Sequence, residues 1–416
     1  MSATAKKWLA VTVGLIAFIV LVILAIFLTQ DSRSQHDSTE STPVQLSIDL
    51  PRDFKVGLIY SLTEDPNVET SWLDAAEGAQ VAAYRIDPKG EDIAFYTQND
   101  HGTEDGAQRA VDALTSEGVS GIIVATSGAH VQAIADAASA KKIPTIFLYD
   151  GDVNGESSWT FAPSSKRNFD ALATALTERS YTNPIVFDSE ENLSNLTSVK
   201  YYPFDVSTDL AELAQEVAGL LEAGTHADSI VISGNSAAQL ALIQELQTRA
   251  ITLPVLLTSQ ATAPEFSEGL VDFGINDGNF ETVGVQSVDI LALESDSAGE
   301  RAASFFTAIR LMDDSSRMNL LNELPFHDVI SNADGLSHDA LVSLARAADN
   351  AGSSDAEKVL VALKGANLTG QDGLVTGPLN FTQTTPNADL LGVVRMTMQN
   401  PGLRDGSEAS TYWFAE

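Results

Sequence analysis

Hydrophobic positions fall along this chain in two registers. The first is a single block: residues 8–28, WLAVTVGLIAFIVLVILAIFL, carry no charge. At ~1.5 Å rise per residue a helix of this length spans ~30 Å, the thickness of a bilayer core. Cleavable signals have shorter apolar stretches of ~7–15 residues and end in a small-x-small site. The exit here reads Phe27-Leu28-Thr29-Gln30, so the block predicts an uncleaved transmembrane anchor. Lys6 and Lys7 precede it and Asp31 follows it, which leaves a cytoplasmic tail of residues 1–7 and sends the rest outward. Residues 29–51 are rich in Ser, Thr, Gln and Asp. Such a stretch cannot bury enough apolar surface to fold alone and predicts a flexible stalk.

The second register begins at Arg52 and repeats. Apolar runs of four to six residues alternate with helical patterns. Strands are predicted over 55–60, 93–97, 121–125 and 145–149, and helices over 71–85, 103–118 and 128–140. In the third of these helices' predecessor, Thr103 stands where an N-cap belongs and Gly118 where a C-terminal cap belongs. The pattern restarts with strands over 184–188, 229–233, 255–258 and 282–285 and helices over 209–222 and 236–249. Helices over 298–312, 337–351 and 356–363 follow, then a strand over 377–381 and an alternating one over 391–398 that reads as a sheet edge. Apolar strands without alternation, separated by helices, indicate parallel sheets covered on both faces. The predicted class is α/β: two doubly wound parallel-sheet lobes after one N-terminal transmembrane helix.

Charge and composition narrow the partners. Asp and Glu number 57 against 23 Lys and Arg, a formal net charge of -34. Such a surface repels phosphate backbones, which argues against nucleic acid as a partner. There is no cysteine, so disulfides, thiolate metal sites, a cysteine nucleophile and a lipidated cysteine anchor are all excluded.

The order of segments resembles the type I periplasmic binding protein superfamily, especially the branched-chain amino acid binding proteins of ABC transporters. FKVGLIYSLTED…WLDAAEGAQVAAYRID looks like that family's first strand, ligand loop and first helix. YTQNDHGTEDGAQRAVDALTSEGVSGIIVATSGAHVQAIADAASAKKIPTIF is similar to its next stretch, and ADSIVISGNSAAQLALIQELQTRAITLPVLLTS to its counterpart in the second lobe. SHDALVSLARAADNAGSSDAEKVLVALKGANLTGQDGLVTGPLNF looks like the late helix pair and the turn after it. The resemblance implies two lobes joined by three crossings that close on a ligand: lobe one over 52–165 and 286–352, lobe two over 166–285 and 353–416. Two departures stand out. A helix replaces the lipidated cysteine, and only residues 189–198 intervene where the family has a long helix.

Ligands of open parallel sheets bind beyond the carboxyl ends of the strands. That rule selects Ser61, Thr63 and Glu64 after the first strand and Thr126, Ser127 and Gly128 after the third. The latter loop opens a helix, so its hydroxyls and amides suit a carboxylate or another anion; the resemblance points to the same residues. Tyr149 could stack on a ligand and Asp150 could take a cationic group. In the second half the rule selects Asn235, Ser236, Ser259 and Gln260. Trp72 reads either as a wall of the cleft or as a buried helix aromatic. Asp150, Asp152 and Asn154 have the spacing of the start of a calcium loop, but Phe161 stands where its last acid belongs, so the segment reads as a turn. Asn192, Asn195, Asn367 and Asn380 begin N-x-[ST] triplets.

No G-x-S-x-G, H-E-x-x-H or Walker loop is present. Ser127 and His130 lie near one another in sequence, with no acid evident to orient the histidine. The chain therefore reads as a binding protein with no cofactor and no catalytic set. Two functions stay open. One is an extracytoplasmic solute-binding protein that presents a small polar, amino acid-like ligand to a membrane permease of an ABC importer. The other is an envelope sensor or assembly factor that reuses the fold with a membrane partner.

Overall fold

The computed structural model describes residues 44–416 apart from 66–67, 91, 191, 276–277, 314–316, 405–409 and 416. The expected tail, anchor and most of the stalk lie outside the described residues. Among the described residues no helix is long and apolar enough to cross a membrane.

Lobe one is built on a parallel sheet of five strands: β1 (Lys55–Tyr60), β2 (Ala94–Asn99), β3 (Gly121–Ala125), β4 (Thr145–Phe147) and β5 (Ser158–Thr160). They run in the order β2-β1-β3-β4-β5. Helices α1 (Trp72–Ala75) and α2 (Gly78–Ile86) lie between β1 and β2, α3 (Glu104–Glu117) precedes β3, and α4 (Val131–Ala140) precedes β4. Strand β3 shows why the sheet is doubly wound. Its Ile123 and Ala125 enter the core under α2, while Ile122 and Val124 enter the core under α3 and α4. Each face of the strand therefore needs a helical layer, and the sequence supplies one on either side.

Lobe two repeats the plan. After α5 (Ser165–Glu178) come β6 (Pro184–Asp188), β7 (Lys200–Pro203), α6 (Leu210–Glu222), β8 (Ser229–Ile232), α7 (Ser236–Thr248), β9 (Val255–Leu257), α8 (Pro264–Asp272) and β10 (Phe280–Gly284). The chain then re-enters lobe one through α9 (Val288–Leu291), α10 (Ser297–Asp313), α11 (Gly335–Ala351) and α12 (Ala356–Lys364), followed by the small antiparallel pair β11 (Asn367–Leu368) and β12 (Leu379–Asn380). It ends in lobe two with β13 (Gly392–Thr397) and β14 (Tyr412–Phe414), giving the order β14-β13-β10-β9-β8-β6-β7. The last two strands are antiparallel to their neighbours.

Four expectations are corrected. The segment 353–391 belongs to lobe one, because Val359, Leu360, Leu363, Leu368, Leu379 and Phe381 share a core with Val56 and Leu58. The third crossing thus falls at 391–392. The alternating strand near 391–398 is interior, since β14 pairs with it from outside. Residues 44–51, expected in the stalk, belong to the folded part: Leu46 is buried against Gly373, its amide bonds the Arg85 carbonyl (2.7 Å), and Arg346 Nη1 donates to the Ser47 carbonyl (2.9 Å). The predicted helix over 71–85 breaks at residues 76–77 into α1 and α2.

Between β6 and β7 the described residues hold no helix, as the sequence indicated. The short loop there packs Leu193 and Leu196 onto Leu172 and Leu176 of α5.

Candidate ligand-binding cleft

The strand-end loops of both lobes meet around a cavity of about 310 Å³. Of the predicted residues, Ser127, Gly128, Asp150, Asn235, Ser259 and Gln260 line it. The loop after β3 and the loop after β4 supply the first three. The start of α7 and the turn after β9 supply the others.

The remaining predicted residues do not reach it. Ser61 and Thr126 are buried and bonded to each other (2.7 Å), and the Ser61 hydroxyl donates to Asp100 Oδ1 (2.6 Å). Their hydroxyls tie β1 to β3 and are spent inside lobe one. Thr63 accepts from the Asp65 amide and turns away with exposed Glu64. Ser236 donates to Glu69 of lobe one. Tyr149 is buried, stacked on Trp72 (centroids 4.0 Å, 7° between planes), and its hydroxyl donates to Asp334 Oδ2 (3.0 Å). Tyr149 does not line this cavity; it and Trp72 line a second, smaller one between the lobes.

The expectation of an anion site at the start of α4 is also corrected. The Gly128 amide donates to Asp150 Oδ2 (3.0 Å), so the chain's own carboxylate holds the position a ligand anion would take. Asp150 Oδ1 accepts from the Asp152 amide (3.0 Å), and Asp152 in turn accepts from the Ser165 amide (3.0 Å) at the head of α5. These two acids stiffen a turn and cap a helix, which is what the calcium-like spacing amounts to here.

Sequence reasoning missed several groups. Glu190 and Asn192 follow β6 and line the cavity; the same strand-end rule applied to β6 would have selected them. Asn168 lines it from α5 and exchanges hydrogen bonds with Ser259 (3.1 and 3.2 Å). Asp100 is the acid not found beside His130: Oδ2 lies 3.2 Å from Nε2, and Ser61 Oγ lies 3.2 Å from the same nitrogen. The Ser61 proton is donated to Asp100 Oδ1, which leaves none for the histidine, so this is a buried polar knot and no relay.

Burial pushes the Asp150 carboxyl up, against the opposing pull of the Gly128 and Asp152 amides. Glu190 is likewise raised, by partial desolvation and by repulsion from Asp188, Asp150 and Asp152, although its side chain is exposed.

The lobes also touch directly. Trp72 Nε1 donates to Ser127 Oγ (3.2 Å), which donates to Gln260 Oε1 (3.3 Å), and Gln260 Nε2 donates to the Tyr149 carbonyl (3.3 Å). This chain closes the middle of the cleft. Behind it lies a second cavity of about 180 Å³, lined by residues from all three crossings, among them Pro163, Gln286 and Leu391. At the far margin, Glu69 accepts from Ser71 Oγ (2.7 Å) and from Ser236, and Ser71 Oγ accepts from the Glu265 amide (3.2 Å).

Two lobes with parallel sheets, three crossings and a cavity between strand ends define a two-lobed α/β fold. The fold is that of the type I periplasmic binding proteins. The family described as periplasmic binding proteins and sugar binding domain of LacI family matches residues 53–200. A leucine-binding protein from Thermotoga maritima superposes with a TM-score of 0.62 at 19% identity, over 87% of this chain and 98% of that one. A branched-chain amino acid transporter substrate-binding protein from Streptococcus pneumoniae, solved with isoleucine, gives 0.59 at 16% over 86% and 99%. An ABC transporter solute-binding protein from R. palustris, solved with 4-hydroxybenzoate, gives 0.58 at 14% over 86% and 95%. No curated protein matches the chain.

Proposed function

We propose that the chain is an extracytoplasmic solute-binding protein, anchored by residues 8–28, that holds a small polar molecule between its lobes for the permease of an ABC importer. The observation that carries this reading is the cavity itself. It lies where the strand-end rule puts ligands, both lobes wall it, and at about 310 Å³ it has room for a molecule of amino acid size. Solved proteins of the same fold hold isoleucine and 4-hydroxybenzoate. Hinge closure would present the loaded form to a membrane partner.

The test is a thermal-shift screen of the full chain in mild detergent against amino acids, amides, amines and short peptides. A ligand present at 100 times its Kd stabilises by about 2.7 kcal/mol, which a melting curve resolves. A folded chain whose Tm no solute raises would remove the reading.

A second reading has its own observation. The Trp72–Ser127–Gln260–Tyr149 chain fills the centre of the cleft with the protein's own side chains, which suits an envelope sensor or assembly factor with a constitutive membrane partner. Crosslinking in whole cells that recovers only importer subunits would sink that alternative.

A further inference from the structure

We propose that the cavity between the lobes selects a hydrogen-bonding cation, a compact amine or guanidine without a free carboxylate, over zwitterionic and anionic solutes. This rests on the solute-binding reading and narrows its ligand.

The cavity wall has a one-sided chemistry. Among the described residues, its charged side chains are Asp150, Asp152 and Glu190, and no Lys, Arg or His lines it. The helix-start amide that would have received a carboxylate, Gly128 N–H, is already bonded to Asp150. A ligand carboxylate brought here would meet three acids and lose a donor. The acceptors, by contrast, are incompletely used. Glu190 is an exposed carboxylate on the cavity wall whose Oε2 accepts from Asn192 Nδ2 (2.8 Å). Asn192 Oδ1 is buried and has no donor within reach. An orphaned buried acceptor is unfavourable, and a ligand N–H placed between Glu190 and Asn192 would satisfy it. An ammonium offers three donors and a guanidinium five.

The missing aromatics refine the class. Quaternary ammonium groups carry no N–H and are gripped by ring faces. Among the described residues no aromatic side chain lines this cavity, and Trp72 and Tyr149 are committed to each other. Recognition therefore falls to hydrogen bonds. The mutual repulsion of Glu190 with Asp150, Asp152 and Asp188 is relieved by a cation placed among them.

The experiment measures binding by calorimetry and Tm by scanning fluorimetry on the full chain in ~0.15 M salt, where surface attraction beyond ~8 Å is screened. The probes are 1,4-diaminobutane, agmatine, leucine and tetramethylammonium. The proposal expects saturable binding of the diamine or agmatine, little response to leucine and none to tetramethylammonium. Glu190→Gln, a near-isosteric change, weakens amine binding at least tenfold. Gln132→Lys, which puts an ammonium on the cavity wall, weakens it by a similar factor and serves if the first variant does not fold. Leucine binding as tightly as the amines, unaffected by either change, overturns the cationic class and leaves the solute-binding reading standing. Amine binding of equal strength in both variants means condensation on the acidic surface, and also overturns it. No binding by any probe, and none in the wider solute screen, removes both.

Discussion

Arg85 lies wholly inside lobe one, where an uncompensated charge would be intolerable. Its Nη1 lies 2.9 Å from His338 Nε2, and His338 Nδ1 lies 2.8 Å from Asp339 Oδ1. Asp339 also accepts from the amides of Val375 and Thr376, each at 2.9 Å. Burial lowers His338, which keeps the ring neutral, so Nε2 accepts from Arg85 and Nδ1–H donates to Asp339. Burial likewise lowers Arg85, to about 10, which leaves it charged at neutral pH. The chain pins α2, α11 and the 374–376 turn together. Removing its acid with Asp339→Ala strands a buried charge and is expected to cost about 3–5 kcal/mol. The exposed Lys166–Asp170 pair is the control: Asp170→Ala is expected to cost under about 1 kcal/mol. Urea midpoints of the two variants check the contrast. Little of this was legible in the sequence, where Arg85 and His338 are unremarkable residues in two separate helical patterns; only the packing of α2 on α11 makes them neighbours.

Among the elements, the helix pair α2 and α11 sets a sharper constraint. A Cβ on Gly78 would stand 1.9 Å from the Asp334 carbonyl. Alanine is worth roughly 1 kcal/mol over glycine in a helix interior, yet here the backbone contact reverses the sign. Gly78→Ala is expected to lower the Tm, while Gly219→Ala on α6, where a Cβ meets open space, is expected to raise it; two melting curves decide. Strands β1, β3 and β6 were readable to the residue, because a strand buried on both faces is an unbroken apolar run. Strands β5 and β14 have three residues each, too few to display a period, and α5 carries its buried stripe on little more than Asn168, Leu172, Ala175 and Leu176. The strand-end rule found the cleft from these partial elements. It could not tell which loop groups were already satisfied: Thr126 bonds Ser61, and Ser61 donates to Asp100, whose position depends on β2 lying beside β1.

For the molecule as a whole, the question is what holds the lobes together. Glu265 of lobe two faces Glu69 of lobe one, with Ser236 beside both and Glu268 and Asp74 nearby. Burial, then the Glu69 charge and a carboxyl–carboxyl hydrogen bond, push Glu265 up to about 7. With the lobes apart the carboxyl would return toward its ordinary value of 4.5. The closed form therefore binds this proton more tightly. That contribution is complete below pH 4.5 and is lost as pH rises through about 7. Small-angle scattering is expected to show a smaller radius of gyration at pH 5.5 than at pH 8.5, and Glu265→Gln to abolish the difference. The assignment of 353–391 to lobe one belongs to this scale as well. It follows from where the chain recrosses, which no local pattern records. The segment that begins the folded part has a mechanical consequence. Val44 and Ser47 are fastened by Arg85 and Arg346 to α2 and α11, both in lobe one. Tension arriving along the polypeptide from its amino-terminal side would load that clamp in shear and bypass the hinge. Such a pull would leave the opening between the lobes as it was.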